Sequence, residues 1–183
     1  MIMKRLVLLF TFFALVFAGA SAFAQFTQKE MIAEWQRAKD YTKSYLDAMP
    51  EDGYALKPTP EIRSFAQQML HLADANYLFA SSASGKPNPP GVTLPKHNLI
   101  ETTVAQTKDA TTKAVMDSYD FAISTLQSMT PEQLQENTTF GSRGTITRGG
   151  LFAKGFEHQT HHRGQTTIYL RLKGVTPPPE RLF

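Results

Sequence analysis

Cysteine is absent from the 183 residues of this sequence. Its absence excludes disulfide frameworks, zinc–thiolate sites, iron–sulfur clusters, cysteine nucleophiles and a lipid-modified cysteine. Excess charge is also lacking, because the formal net charge is only +3. Charge therefore gives no support for a nucleic-acid or anionic-surface binder. With 42% hydrophobic residues, the chain is too apolar to be disordered, and its length suits one globular domain.

A long uncharged stretch lies at the N-terminus. Lys4 and Arg5 precede an apolar run over residues 6–20, and a short end containing Ala22 and Ala24 follows. A basic start, an apolar core and an A-x-A end are the three parts of a secretory signal peptide. We therefore predict cleavage after Ala24 and export to the periplasm or the medium.

This interpretation sets the domain boundaries. Residues 1–24 are predicted to be the signal peptide, and residues 25–183 a single domain whose formal net charge falls to +1. The alternative is a retained membrane anchor, since 19 uncharged residues could just span a bilayer. The A-x-A end favours cleavage, after which we expect no membrane association.

Apolar residues recur at helical spacing in four segments of the mature chain. The predicted helices are Thr27–Met49, Pro60–Ser84, Leu99–Met129 and Gly150–Leu172. A capping box is expected at Thr27 and Glu30, and Thr59 is the expected N-cap of the second helix. Four helices without a long strand predict an all-α four-helix bundle, with Trp35 in its core.

Two segments between the helices are predicted to be loops. Lys86–Pro95 contains four prolines, which exclude a helix interior. Asn137–Gly150 contains four glycines and several threonines, so we predict a loop with a short hairpin at Thr138–Ile146. A further turn of helix is expected over Pro131–Leu134.

Histidine provides the candidate chemistry. His158 and His162 are four residues apart on one face of the fourth helix, with His161 turned away from them. Imidazoles at this spacing can bind one metal ion together, but a site needs at least a third ligand. The alternative is a pair of partly buried histidines bonded to backbone or water.

His71, on the second helix, is the candidate for a third ligand. Helical periodicity puts it at the flank of the apolar stripe, where it either lines a cleft between helices or is solvated. His97 follows a proline and is expected in an exposed loop. Three acidic residues of the helices are expected to be surface charges: Asp74, Asp117 and Asp120.

The polar neighbours of the histidine pair provide no assured acid or base. Glu157 lies on the opposite side of the helix, and Arg163 is expected to face away in a structural contact. Gln165 could support His162 from one turn away. Tyr169 shares the histidine face and is expected to be a core tyrosine rather than a substrate contact.

Three features in order resemble the DinB-like superfamily of bacterial four-helix-bundle metalloproteins, which includes the YfiT-type proteins. The first is His71 within Leu-His-Leu-Ala-Asp, and the second is the H-x-x-x-H-R-G-Q element from His158 to Gln165. The third is the ending Tyr169–Pro177, a helix that runs into a Gly–Pro tail. The resemblance covers nearly the whole mature chain.

The resemblance implies an up-down-down-up bundle with a long link between the second and third helices. It also implies a metal site with three histidine ligands, which by position are His71, His158 and His162. A divalent transition metal is expected, with zinc or nickel favoured. Three neutral nitrogens alone do not select among zinc, nickel, copper and iron.

Characterised relatives in this superfamily include thiol S-transferases, in which the metal binds a cofactor thiol and lowers its pKa. The resemblance thus implies a metal-dependent transferase or hydrolase acting on a small molecule, with a homodimer as a possible assembly. The export signal departs from this pattern, because such thiol cofactors are cytosolic. The alternatives are a non-catalytic periplasmic bundle that binds a metal or ligand, and an interaction bundle with incidental histidines.

Overall fold

The structure is a computed structural model that describes residues 26–89 and 99–183. The predicted signal peptide and His97 lie outside the described residues. Four long helices of 20 to 25 residues and two short ones carry the fold. In chain order they are α1 Gln28–Ala48, α2 Phe65–Ser84, α3 Leu99–Thr103, α4 Lys108–Gln127, α5 Pro131–Gln135 and α6 Arg148–Leu172.

A small hairpin precedes the last helix. Strand β1, Asn137–Thr139, pairs antiparallel with β2, Thr145–Thr147, so that Thr138 faces Ile146. The predicted hairpin is therefore confirmed. Single 3₁₀ turns lie at Glu51–Gly53 and Gly141–Arg143.

Capping boxes begin both α1 and α2. At α1 the predicted box is confirmed, with the Thr27 side chain accepting from the Glu30 N–H and the Glu30 carboxylate accepting in return. The predicted start of α2 at Pro60 is wrong. Ser64 is the N-cap, and its side chain and that of Gln67 form the reciprocal hydrogen bonds. The chain before Ser64 instead folds back under the helix, where Ala66 N–H donates to the Tyr54 carbonyl.

The predicted third helix is interrupted. Residues 99–103 form α3 and residues 108–127 form α4, where the Thr107 side chain accepts a hydrogen bond from the Ala110 N–H. The surface position predicted for Asp74 is also wrong, because Asp74 is 4% exposed. Its carboxylate accepts hydrogen bonds from the backbone N–H groups of Ile100 and Glu101, both at 3.1 Å. A carboxylate at these free amides stabilises the start of α3.

The other two acidic residues match their expectation. Asp117 pairs with Lys113 on the same helix, and Asp120 pairs with Lys39 of α1. Both carboxylates are at least half exposed. Ion pairs of this kind contribute little to stability, about 0–1 kcal/mol each.

Side-chain pairs establish the up-down-down-up direction of the bundle. Between α2 and α4, Asn76 bonds Ser118, and Lys86 just beyond α2 bonds Ser128 just beyond α4, so these helices are parallel. Between α1 and α6, Trp35 contacts Phe152 and, further along both helices, Tyr45 contacts Thr167, so these helices are also parallel.

Two other helix pairs are antiparallel. Helix α1 runs against α4, because Gln28 contacts Met129 and Asp47 contacts Lys108. Helix α2 runs against α6, because Gln68 contacts His162 and Ala83 contacts Arg148.

Aromatic side chains fill the centre of the bundle. Trp35 is 2% exposed, as expected, and makes edge contacts with Tyr119, Phe152 and Phe156 at centroid distances of 5.9 to 6.4 Å. Burying side chains of this size contributes the largest share of folding energy. No helix within the described ranges is apolar over a length sufficient to cross a bilayer.

A buried polar network joins α1, α4 and α6. The Tyr119 hydroxyl donates to Gln159 Oε1 and lies 2.8 Å from the Thr42 hydroxyl. Arg163 donates to the same Gln159 oxygen, and its guanidinium stacks 4.5 Å from the Tyr41 ring centre. The structural contact predicted for Arg163 is thus confirmed. The network fixes the rotation of α6, and with it the face on which His158 and His162 lie.

Candidate metal centre

Three histidines from two helices meet at one point between α2 and α6. The ring centroids of His71 and His158 are 5.2 Å apart, those of His71 and His162 are 4.6 Å apart, and those of His158 and His162 are 4.4 Å apart. One nitrogen from each ring lies within 4.8 Å of the other two. Periodicity left two alternatives for His71, which were a position between the helices and a solvated one. Its side chain is 20% exposed and meets two histidines of α6, so it lies between the helices.

A close helix crossing makes this meeting possible. Gly155 is buried on α6, and a Cβ built there would lie 3.0 Å from Phe79 Cβ on α2. That separation is below an ordinary carbon–carbon contact of about 3.5–4.0 Å. Because His158 follows Gly155 by one turn, the absence of a side chain at position 155 lets α2 and α6 approach next to the histidines.

A chain of hydrogen bonds defines the tautomer of His162. Tyr169 donates its hydroxyl proton to the Arg63 carbonyl at 2.6 Å, and its oxygen faces the Gln68 amide nitrogen at 3.5 Å. The Gln68 carbonyl oxygen is therefore the atom 2.8 Å from His162 Nδ1. Since an amide oxygen only accepts, Nδ1 of His162 carries the proton and Nε2 keeps its lone pair.

Glu101 approaches His71 from the short helix α3. Its Oε2 lies 3.3 Å from His71 Nδ1, and its Oε1 accepts from Arg63 Nε at 2.8 Å. The Glu101 side chain is 8% exposed. An outer partner on the second ring nitrogen is typical of histidines that bind metals.

Burial keeps the paired histidines uncharged. The pKa of His162 is lowered to about 3, chiefly by burial and then by the neighbouring His158. Burial, followed by the charge of His71, lowers the pKa of His158 to about 4. Both rings are therefore neutral near pH 7, which is the form that binds a metal ion.

The donor set fits a divalent transition metal. His158 Nδ1 is buried and makes no hydrogen bond among the described residues, an arrangement that is costly for a polar atom without a ligand. The three side chains offer only neutral nitrogen, which suits zinc, nickel, copper or iron rather than magnesium or calcium. His71, His158 and His162 are thus the residues that could hold such an ion.

The model of the DinB family matches residues 23–181. The chain belongs to the DinB family. Its relative YjoA of Bacillus subtilis is an uncharacterised protein, 23% identical over 155 residues that cover 82% of this chain and 93% of YjoA. A DinB-like protein from Bacillus cereus has a similar solved structure, with a TM-score of 0.72, 19% identity, and coverage of 84% and 97% of the two chains. The solved structure of YjoA gives a TM-score of 0.64, with 20% identity and coverage of 82% and 96%.

An open cleft lies next to the candidate metal centre of this DinB-family protein. It has a volume of about 810 Å³, and its walls include Arg63, Gln68, Glu101 and Tyr169. None of the three histidines lines the cleft itself, but Gln68 and Glu101 contact His162 and His71, so the cleft adjoins the candidate centre through these two partners. The volume is in the range of small-molecule sites.

A second cavity lies elsewhere in the bundle. It measures about 670 Å³ and is walled by apolar side chains that include Trp35, Phe152 and Phe156. Neither the three histidines nor their partners Gln68 and Glu101 line it. It therefore has no part in the candidate metal centre, although it is the more apolar of the two.

Several roles differ from the sequence expectations. Gln165 bonds His161, which is exposed, rather than supporting His162. Tyr169 is 3% exposed, which agrees with the expected core position. Gln68 and Glu101 were not predicted. Gln68 lies one turn before His71 and could have been found from that spacing, whereas no local pattern links Glu101 to a histidine 30 residues earlier.

Proposed function

We propose that this DinB-family protein binds one divalent transition metal ion through His71, His158 and His162 and is a metal-dependent transferase or hydrolase acting on a small molecule. The observation that carries the proposal is the convergence of three histidines, with centroids 4.4 to 5.2 Å apart, beside an open cleft. Zinc and nickel are the favoured occupants because the family resemblance implies them, since three neutral nitrogen ligands alone suit copper and iron equally well.

Two residues outside the histidine cluster orient the His162 ring. Gln68 orients His162 through Nδ1, and Tyr169 orients Gln68. With three protein ligands, a bound ion would keep further coordination positions for water or substrate, as in catalytic sites. A bound ion would supply Lewis acidity and lower the pKa of a water or thiol that it binds.

A non-catalytic metal-binding bundle is the second candidate. The observation that favours it is that titratable neighbours of the histidines are already engaged. Glu101 is paired with Arg63, and the Tyr169 hydroxyl donates to a backbone carbonyl. Turnover of a thiol-transfer or hydrolysis substrate that stops on metal removal and returns on metal addition supports the enzyme, and metal binding without turnover supports the second candidate.

Metal content tests the binding itself. We would measure first-row metals by mass spectrometry on protein purified without a histidine tag. Near-stoichiometric metal is expected in the wild type, with loss in His71→Ala and His158→Ala. The matched control is His161→Ala, because His161 is an exposed neighbour outside the cluster and its loss should leave the metal in place. A wild type that takes up neither zinc nor nickel would refute the proposal.

Export is also part of the proposal. It is supported by the basic, apolar and A-x-A order of residues 1–24. The family match begins at residue 23, so it leaves most of this segment outside the matched region. Mass spectrometry of protein from the periplasm or medium should show an N-terminus at Gln25. Intact Met1 in the recovered protein would contradict cleavage.

A further inference from the structure

The buried carboxylate of Glu101 has one oxygen in an ion pair and a second oxygen that faces the histidine cluster. Oε1 accepts from Arg63 Nε at 2.8 Å. Oε2 is buried, makes no hydrogen bond to another described residue and lies 3.3 Å from His71 Nδ1. A buried carboxylate oxygen without a donor is costly. The His71 ring is the group placed to supply that donor.

The helix that carries Glu101 is anchored to the helix that carries His71. Asp74, one turn after His71 on α2, accepts the backbone N–H groups of Ile100 and Glu101. Asp74 and Glu101 are both buried. These two hydrogen bonds hold the start of α3 against α2. One of them is made by the backbone of Glu101 itself, so the position of its side chain is fixed as well.

We propose that Glu101 is a positioning residue that holds His71 in the tautomer with the proton on Nδ1, leaving the Nε2 lone pair for the metal ion. An ionised carboxylate only accepts hydrogen bonds, so the ring nitrogen facing it must carry a proton. Gln68 does the same for His162. The inference rests on the proposed function for its metal, but the tautomer of His71 is a property of the protein alone.

Replacing the carboxylate by an amide should invert the tautomer. In Glu101→Gln, Arg63 can only donate, so it keeps the amide oxygen and leaves the NH₂ group facing His71. A ring nitrogen that accepts from NH₂ carries no proton, and the proton then moves to Nε2, the ligand atom. Loss of such an outer partner typically weakens metal binding by about 10- to 100-fold.

Two measurements on the full-length protein test the inference. Long-range ¹H–¹⁵N NMR reads the tautomer of His71 without metal, and competition with a chelator gives the zinc Kd. We expect the Nδ1–H form in the wild type, and the Nε2–H form with a Kd about 10- to 100-fold weaker in Glu101→Gln. The matched control is Glu61→Gln, because Glu61 is an exposed acid of the same cleft. It should change neither quantity.

A double variant distinguishes a positioning role of Glu101 from a purely structural role. In Arg63→Met with Glu101→Gln, the amide is free to turn its oxygen toward His71, so the Nδ1–H form and most of the zinc affinity should return. Should Glu101→Gln fail to fold, an Nε2–H ring in this double variant would still overturn the inference.

The remaining outcomes are also decisive. An unchanged tautomer and a Kd within twofold of wild type in Glu101→Gln would overturn the inference while leaving the metal site intact. A wild type that binds no zinc would refute the proposed function, and the tautomer comparison would still decide the role of Glu101.

Discussion

The contact at Gly155 permits a prediction that links helix packing to the candidate metal centre. A methyl group at position 155 would lie 3.0 Å from Phe79 Cβ and 3.3 Å from Phe79 Cγ. Overpacking of this kind costs about 1–3 kcal/mol. Replacing a helical glycine by alanine also gains about 1 kcal/mol in helix propensity. The net effect of Gly155→Ala on the free energy of unfolding is therefore between about zero and a loss of 2 kcal/mol.

Gly164 provides the matched control for this substitution. It lies on the same helix, is exposed, and a Cβ there would meet nothing within 4 Å. Gly164→Ala should therefore show the propensity gain alone, about 0.5–1 kcal/mol. The two alanine variants should differ by about 1–3 kcal/mol, which for a chain of this size is roughly 2–12 °C in Tm.

Calorimetry and zinc titration check both consequences. Thermal unfolding of the metal-free variants gives the Tm difference. Moving α6 away from Phe79 also moves His158 away from His71, so zinc affinity should fall in Gly155→Ala and stay unchanged in Gly164→Ala. Equal Tm gains and equal zinc affinities in the two variants would refute the argument that position 155 controls the helix approach.

Three further outcomes are expected. Below pH 6.5 the unfolded chain binds more protons than the folded one at His158 and His162, whose pKa values are lowered to about 4 and about 3. Stability of the metal-free protein should therefore fall as pH drops from 6.5 toward 3, by at most about 1.4 kcal/mol per pH unit for each histidine. Urea unfolding across pH should show a shallower slope when both are replaced by glutamine, and an equal slope would contradict the buried neutral state. Gln68→Leu, which removes the acceptor at His162 Nδ1, should weaken zinc binding about 10- to 100-fold in a chelator competition. An unchanged Kd would exclude its orienting role. Tyr119→Phe should cost about 0.5–1.5 kcal/mol in urea unfolding, because one buried hydrogen bond is lost while the Gln159 oxygen keeps its Arg163 donor. A change below about 0.3 kcal/mol would show that this hydroxyl does not hold the network.

Local patterns were sufficient for most of the fold. The capping box at Thr27, the apolar stripes and the threonine–glycine hairpin each act over a few residues, so the sequence displays them directly. The start of α2 was mispredicted because Pro60 and Ser64 are both good helix-start signals. The choice between them depends on Tyr54, whose carbonyl accepts the Ala66 N–H from across the loop.

The candidate site was predicted less completely, for a related reason. The spacing of His158 and His162 follows from helix geometry, while the placement of His71 beside them came from the family resemblance. Periodicity ranks residues by a single apolar stripe, but α2 is packed on several sides, so His71 at its flank still faces another helix. The role of Asp74 depends on amides 26 and 27 residues later in the chain, which no window of local sequence contains.

The positions of the three histidines and of the residues that hold them explain why the candidate centre lies on helices rather than on loops. Residues of α2 at one-turn spacing hold the cluster: Gln68 contacts His162, His71 is a candidate ligand, and Asp74 anchors the helix of Glu101. The opposite wall is α6, whose rotation is set by Arg163 in the buried network. An ion bound to both helices would join the two walls directly, so its binding would stabilise the fold by an amount that grows with the logarithm of its affinity. Changes that weaken the α2–α6 contact should therefore lower both metal affinity and the stability that the metal adds.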